Sequence, residues 1–256
     1  VVGFSATFER ADNKALSRVM DKIVYHRGIL EMIDAKWLCE GKFTTVDVNV
    51  NLDDVATSGF DFNIQGLSKV MNTPEVNKVV LQTYLQKKKE HGIKSTILFG
   101  CDISHIESLF HLFQSYGINA QYVNAKTRQS ERDGIVKAFK DGKIEVLMNC
   151  GIFTEGTDIP NIDCILLCRP TRSRSLLVQM IGRGLRVHHS KEHCHIVDFI
   201  GASRVGVVSI PTLVGIDNYD GELDETTIQD LRQVKQAMLE RQQALERHKM
   251  EQEEKE

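Results

Sequence analysis

The sequence predicts an α/β fold, a parallel sheet with helices on both faces, followed by a helical tail. Three observations carry this. Between about residues 95 and 200, short apolar runs alternate with amphipathic stretches, the pattern of crossover units that build a parallel sheet. Strand candidates such as residues 162–168 are apolar with little alternation, as strands covered on both faces are. From Thr226 onward there is no Gly or Pro, and Ile228, Leu231, Val234, Met238 and Leu245 recur at helical spacing on a Gln/Glu/Arg-rich background.

The elements follow in order. Residues 1–7 (Val1-Val2-Gly3-Phe4-Ser5-Ala6-Thr7) read as a buried strand running into a loop, with no initiator Met or basic leader, so a fragment of a longer protein is expected. Trp37, in the stretch 29–38, is expected to be a core aromatic anchoring a helix, with base stacking as the alternative. Residues 44–51 alternate like an edge strand, and 53–65 are polar and Gly-containing, a loop or insertion. Residues 81–90 form a helix, with Pro74 placed for a first turn. Then come a strand at 95–99, a helix at 103–115 ending before Gly117, a strand at 118–123, and a helix at 128–140 stopped by Asp141-Gly142. Strands at 144–148 and 162–168, a helix at 175–185 and a strand at 195–200 complete the sheet. The tail reads as a solvated helix packing one face on a neighbour; Arg241 and His248 interrupt any coiled-coil seam.

Composition excludes several classes. With 32 basic and 35 acidic residues in 256, and 41% hydrophobic side chains, the chain is neither a polybasic tail nor a disordered acidic one. Its longest apolar runs fall far short of the ~20 residues a membrane span needs, so no membrane association is expected. Six cysteines, none in a C-x-x-C pair, argue for reduced thiols and an intracellular setting. Residues 222–256 carry ten acids and six bases, leaving 25 acids and 26 bases in residues 1–221.

Within that near-neutral body, no carboxylate occurs between Asp163 and Glu192, while Arg169, Arg172, Arg174, Arg183, Arg186 and Lys191 do. Such a concentration requires a counter-ion. Arg183 and Arg186, three apart, are expected on one helical face, where two guanidinium forks clamp a polyanion unless they pair surface carboxylates. Gly182 and Gly184 each cost a helix about 1 kcal/mol, which points to close approach of another group. In open parallel sheets ligands gather at loops leaving the strand carboxyl ends. The loop 149–160 there (Asn149-Cys150-Gly151-Ile152-Phe153-Thr154-Glu155-Gly156-Thr157-Asp158-Ile159-Pro160) suits phosphate and ribose contact. It reads equally as a Gly-rich turn capped by Asp158.

Other groups receive structural readings. His188, His189, His193, Cys194 and His195 lack a tetrahedral zinc spacing, and residues 193–195 alternate into a strand whose successive side chains point to opposite faces. No metal ligand is expected. Cys164 and Cys168 read as core, and Lys87-Lys88-Lys89 as a helix end complementing the macrodipole, with phosphate contact as the alternative.

Taken in order, Ser5-Ala6-Thr7, Thr96-Ile97-Leu98-Phe99-Gly100-Cys101, Thr154-Glu155-Gly156-Thr157-Asp158-Ile159-Pro160 and Gln179-x-x-Gly182-Arg183-x-x-Arg186 resemble motifs III, IV, V and VI of superfamily 2 helicases. The T-E-G-x-D-I-P form, and Gln in place of the His of DEAD-box proteins, resemble the restriction-enzyme/excision-repair branch. The chain is similar to the carboxyl-terminal half of fungal mitochondrial DNA helicases of that branch, which implies a mitochondrial location. The resemblance implies a RecA-like helicase C-terminal domain, P-loop NTPase-like in architecture without the P-loop. Residues 1–20 would end a first RecA-like domain, 21–215 form the second, and 216–256 form a linker and the helical start of an extension.

It also implies roles. Arg183 and Arg186 match γ-phosphate-sensing arginines, one an arginine finger worth ~10³–10⁵ in rate in related hydrolases; Gln179 matches the motif VI residue facing nucleotide. Gly156 and Asp158 match ATP-binding positions. Cys101, His105, Asn124, Lys126, Thr127, Asn149 and Thr154 match nucleic-acid-binding segments, and Ser5, Thr7 and Arg10 the coupling motif, with Phe8 where many relatives carry Pro. The implied cofactors are ATP and Mg²⁺, and the implied partners double-stranded or branched DNA and the first RecA-like domain.

No G-x-x-x-x-G-K-[ST] occurs: Phe43 follows Gly41-Lys42, and Ile144 follows Gly142-Lys143. No D-E-x-H motif for Mg²⁺ is present either, so this chain alone is expected not to hydrolyse ATP. Alternative readings are a restriction-system translocating subunit, an RNA-directed helicase, or a catalytically dead docking module.

Overall fold

A computed structural model describes residues 22, 24–151, 158–200, 206–217, 219 and 221–253, with side chains through residue 247. Ser5, Thr7, Arg10, Thr154 and Gly156 lie outside the described residues. The element order is α1 (Ile29–Asp34), β1 (Glu40–Asp47), β2 (Thr57–Ser58), β3 (Asp61–Phe62), α2 (Ile64–Met71), α3 (Pro74–His91), β4 (Thr96–Phe99), α4 (Ile103–Ser115), β5 (Ala120–Val123), α5 (Gln129–Lys140), β6 (Val146–Asn149), β7 (Cys164–Leu167), α6 (Arg174–Gly184), β8 (His193–Ile200), α7 (Ile210–Leu213) and α8 (Ile228–Glu253).

Six parallel strands form one sheet in the order β1-β8-β7-β4-β6-β5. The registers Phe99↔Asn149, Phe99↔Leu167 and Val123↔Asn149 align the ends of the central strands. Alternate residues serve two cores. Ile97, Phe99, Leu147, Ile165 and Ile196 face α5, α6 and the start of α8, while Leu98, Val146, Met148, Leu166 and Val197 face α2, α3 and α4. Burial on both sides explains why these strands lack polar alternation.

Local chemistry sets the helix ends. Thr73 caps α3 by accepting from the Val76 N–H at 3.2 Å, Pro74 occupies its first turn, and Gly92 closes it at φ 65°, where a side chain would be strained. Asp102 caps α4 by accepting from the His105 N–H at 2.8 Å. The strand predicted at 44–51 is β1, at the sheet edge, and its outer side is covered: Thr226 bridges Phe43, and the Thr45 N–H donates to the Leu223 carbonyl. Covering an edge blocks pairing with other chains.

The structure corrects several expectations. The segment 53–65 holds the antiparallel hairpin β2–β3 and leads into α2, a short helix capped by Asn63. Trp37 is 67% exposed, not core. In keeping with the expected strand alternation, His193 and His195 share one face, with Nε2 atoms 3.2 Å apart, and Cys194 points into the opposite core. The tail helix docks on this chain's own body through buried Ile228 and Leu231, while Met238 and Leu245 are exposed. The packed core thus runs past residue 215 through Leu231. All six cysteines are free thiols, five of them buried. Among the described residues no helix is long and apolar enough to cross a membrane.

Candidate nucleotide and nucleic-acid site

Because the strands are parallel, the segments after β4, β5, β6 and β7 leave the same sheet edge. After β5, Asn124 organises a tight turn. Its side chain accepts from the Lys126 N–H at 2.8 Å, its own N–H donates to Thr127 Oγ1 at 3.0 Å, and Arg132 donates to the carbonyls of Asn124 and Thr127 at 3.3 and 3.4 Å. Asn124 and Thr127 therefore hold the turn, and Lys126 is presented to solvent.

Three other residues expected at this edge are interior. His105 is fully buried: its Nδ1 accepts from the Cys101 N–H at 3.3 Å and its Nε2 lies 3.1 Å from Asn77 Oδ1, which fits the neutral Nε2–H tautomer. Burial holds this imidazole down at about 4. The Cys101 thiol lies 3.3 Å from the Cys168 carbonyl, and burial pushes it far above its ordinary value. Asn149, also buried, donates to the Leu98 carbonyl at 3.0 Å. The side chains of Cys101, His105 and Asn149 are buried and bonded within the chain.

The arginine segment is arranged differently from its sequence spacing. Ser173 caps α6 by accepting from the Leu176 N–H at 3.2 Å. The helix stops at Gly184 with Leu185 as its cap, and Arg186 lies beyond it, in an antiparallel bridge with Leu38. Arg183 and Arg186 thus do not share a helical face. At this helix end a Cβ on Gly184 would overlap Cys194 Sγ and Ile165 Cδ1, so the end presses onto β7 and β8. The close approach inferred at Gly184 is to the sheet, whereas Gly182 faces open space. Gln179 Nε2 lies 3.4 Å from Ser175 Oγ, one turn back, and Arg183 is half-buried in the last turn.

Since α6 crosses back from the end of β7 toward the start of β8, Arg183 and Arg186 lie at the opposite end of the helix from the edge that carries Lys126. There Arg186 makes an ion pair with Asp158. Two loci result, one at the carboxyl edge and one at the end of α6.

Several cations of the carboxylate-free stretch are engaged within the chain. The Arg172 N–H and the Thr171 hydroxyl donate to the two Asp61 oxygens at 2.8 Å each, Arg169 lies 3.8 Å from the same carboxylate, and the Arg172 guanidinium stacks 4.5 Å over Phe62. Arg174 donates to the Thr212 and Leu213 carbonyls at 3.0 and 3.2 Å, and Lys191 to those of Ile162 and Gly184. Asp61 was invisible as a partner because it sits on a hairpin 110 residues away from Thr171, with no local pattern linking them.

Residues 75–188 match the helicase conserved C-terminal domain. The chain is 64% identical over 245 residues to "Putative ATP-dependent helicase IRC3" of Saccharomyces cerevisiae, covering 96% of this chain and 36% of that protein. It is 38% identical over 217 residues to "Putative mitochondrial ATP-dependent helicase irc3" of Schizosaccharomyces pombe, covering 84% of this chain and 35% of that one. The chain therefore spans about a third of the length of these relatives. The fragment structure of "a putative HsdR subunit of a type I restriction enzyme" from Vibrio vulnificus superposes with a TM-score of 0.59 at 18% identity, covering 82% of this chain and 40% of that one. That likeness establishes the RecA-like α/β fold.

Proposed function

Starting from a chain that carries a helicase conserved C-terminal domain on a RecA-like sheet, we propose that it is the second motor domain of an ATP-dependent DNA helicase or translocase. The Arg186–Asp158 ion pair is the observation that carries this reading: residues drawn from two separate motif segments, 28 positions apart, stand against each other. Arg186 and Arg183, with Gln179, would present positive charge and an amide to the outer phosphates of a nucleotide held by a preceding domain, and Asp158 would accept from its ribose. Arginine forks suit that task because they are permanently charged and match phosphate geometry.

Strand contact belongs to the other locus. Lys126, raised on the Asn124–Thr127 turn, supplies a phosphate contact that is independent of sequence. Closure of the two domains around nucleotide would shift this edge along the strand. The mitochondrial name of the fission-yeast relative supports a mitochondrial location. The sequence holds neither a phosphate-cradling P-loop nor a D-E-x-H motif for Mg²⁺, and phosphoryl transfer needs both parts. ATP hydrolysis thus requires the partner domain, and this chain alone is inactive.

DNA-stimulated ATP turnover of the full-length protein tests the reading. Arg183→Ala and Arg186→Ala are each expected to lower it at least ~10³-fold with the fold intact. Near-normal turnover in both, or DNA-stimulated turnover by the 256-residue chain alone, overturns it.

A further inference from the structure

On the sheet face opposite α6, the end of α3, the start of β8 and the segment ahead of α8 converge on a cluster that the helicase reading does not use. We propose that His91, His195 and Glu225 form a binding site for one zinc-class divalent transition-metal ion. This inference is independent of the motor assignment.

The ligand atoms of these three residues lie within 4.8 Å of one another. His195 Nδ1 is 2.9 Å from Glu225 Oε2, and His91 Nε2 is 3.5 Å from Glu225 Oε1. Ligands about 2.0–2.2 Å from a tetrahedral zinc ion stand about 3.4 Å from one another; the two Glu225 contacts are close to that spacing, and the two imidazole nitrogens close on each other by up to about 1.4 Å to admit the ion. The His91 and His195 rings stack with centroids 4.3 Å apart.

A second observation points the same way. His195 is only 5% exposed, and its Nδ1 is buried without an aligned hydrogen-bond partner, although the carboxylate is close. The nitrogen and the carboxylate already face each other at 2.9 Å, and a metal ion placed between them would take one coordinate bond from each. Glu225 itself sits at φ 49°, a left-handed conformation that a non-glycine residue holds only under constraint.

The surroundings complete the arrangement. His193 Nε2 lies 3.2 Å from His195 Nε2. With Nδ1 on the metal, the Nε2–H donates to His193, the outer partner that fixes a ligating imidazole. Lys87 holds Glu225 Oε1 at 2.6 Å and Asp224 Oδ1 at 2.9 Å, leaving Oε2 for the ion. His91 is the exposed member and provides the entry side. Two imidazoles and one carboxylate suit zinc, cobalt or nickel, whereas magnesium and calcium prefer all-oxygen sets. An ion here would pin the segment that covers β1 and leads into α8, through the Thr226–Phe43 bridge.

The test is titration of the chelator-treated 256-residue chain with Zn²⁺ and Co²⁺, by calorimetry and by the visible spectrum of bound Co²⁺. One ion per chain is expected, with a tetrahedral-type Co²⁺ spectrum and a higher melting temperature in Zn²⁺. His91→Ala and Glu225→Gln should weaken binding at least ~10-fold, and His193→Ala by ~10- to 100-fold. The exposed pair His188→Ala/His189→Ala should bind as the parent does. Circular dichroism verifies folding, and exposed His91 keeps the test usable if Glu225→Gln unfolds. No saturable Zn²⁺ binding overturns the proposal, leaving a proton-shared His/Glu cluster. Undiminished binding by His91→Ala, loss through His188/His189, or preferential Mg²⁺ binding overturns it as well.

Discussion

Arg186 pairs with Asp158 across the end of α6, and Asp158 remains 78% exposed while doing so. A pair this exposed is worth only about 0–1 kcal/mol, so it opens at small cost when a more highly charged anion arrives. The ion pair thus holds the arginine in place without committing it.

Arg186→Ala should therefore change unfolding free energy by less than about 1 kcal/mol, measured by denaturant titration of this chain. The same change should remove most ATP turnover in the full-length protein. A large stability loss with turnover retained would make Arg186 structural.

The two glycines of α6 should part company. Gly184→Ala forces a methyl into Cys194 and Ile165 and is expected to destabilise by about 1–3 kcal/mol. Gly182→Ala enters open space and should be neutral or stabilising by up to about 1 kcal/mol. Equal effects in urea unfolding would contradict the packing at the helix end.

Lys126→Ala should weaken DNA binding by the full-length protein regardless of sequence, and reduce the slope of log affinity against log salt by about one. An unchanged slope removes Lys126 from the phosphate contacts.

His105 makes stability depend on acid. The folded imidazole stays neutral down to about 4, while in the unfolded chain it protonates near its ordinary 6.5. Between those values the unfolded state binds more protons, so this contribution to stability is complete above pH 6.5 and falls as pH drops toward 4, by about 3 kcal/mol. His105→Asn should flatten that part of the stability–pH curve; a parallel curve would show that His105 is not its source.

Much of the sheet was legible locally. The helix from Ile103 to Ser115, the Asp141-Gly142 stop and the edge position of β1 follow from periodicity, capping and punctuation, which act over a few residues. The short α2 escaped because one Asn cap and eight residues containing Gly66 resemble a loop. Trp37 misled because hydrophobicity alone does not say which side of a short helix is covered.

For the candidate sites, the residue types were readable but their company was not. The sequence by itself determined the strand and helix order, the charge imbalance at 163–192 and the absence of a P-loop. The tertiary structure alone decided that Arg183 and Arg186 separate at Gly184, that Cys101, His105 and Asn149 turn inward, and that Asp61 anchors residues 169–172. It also brought Glu225 to His195. The physical reason is range: periodicity, caps and turns are written in neighbouring residues, whereas burial and ion pairing depend on which distant segments the folded sheet brings together.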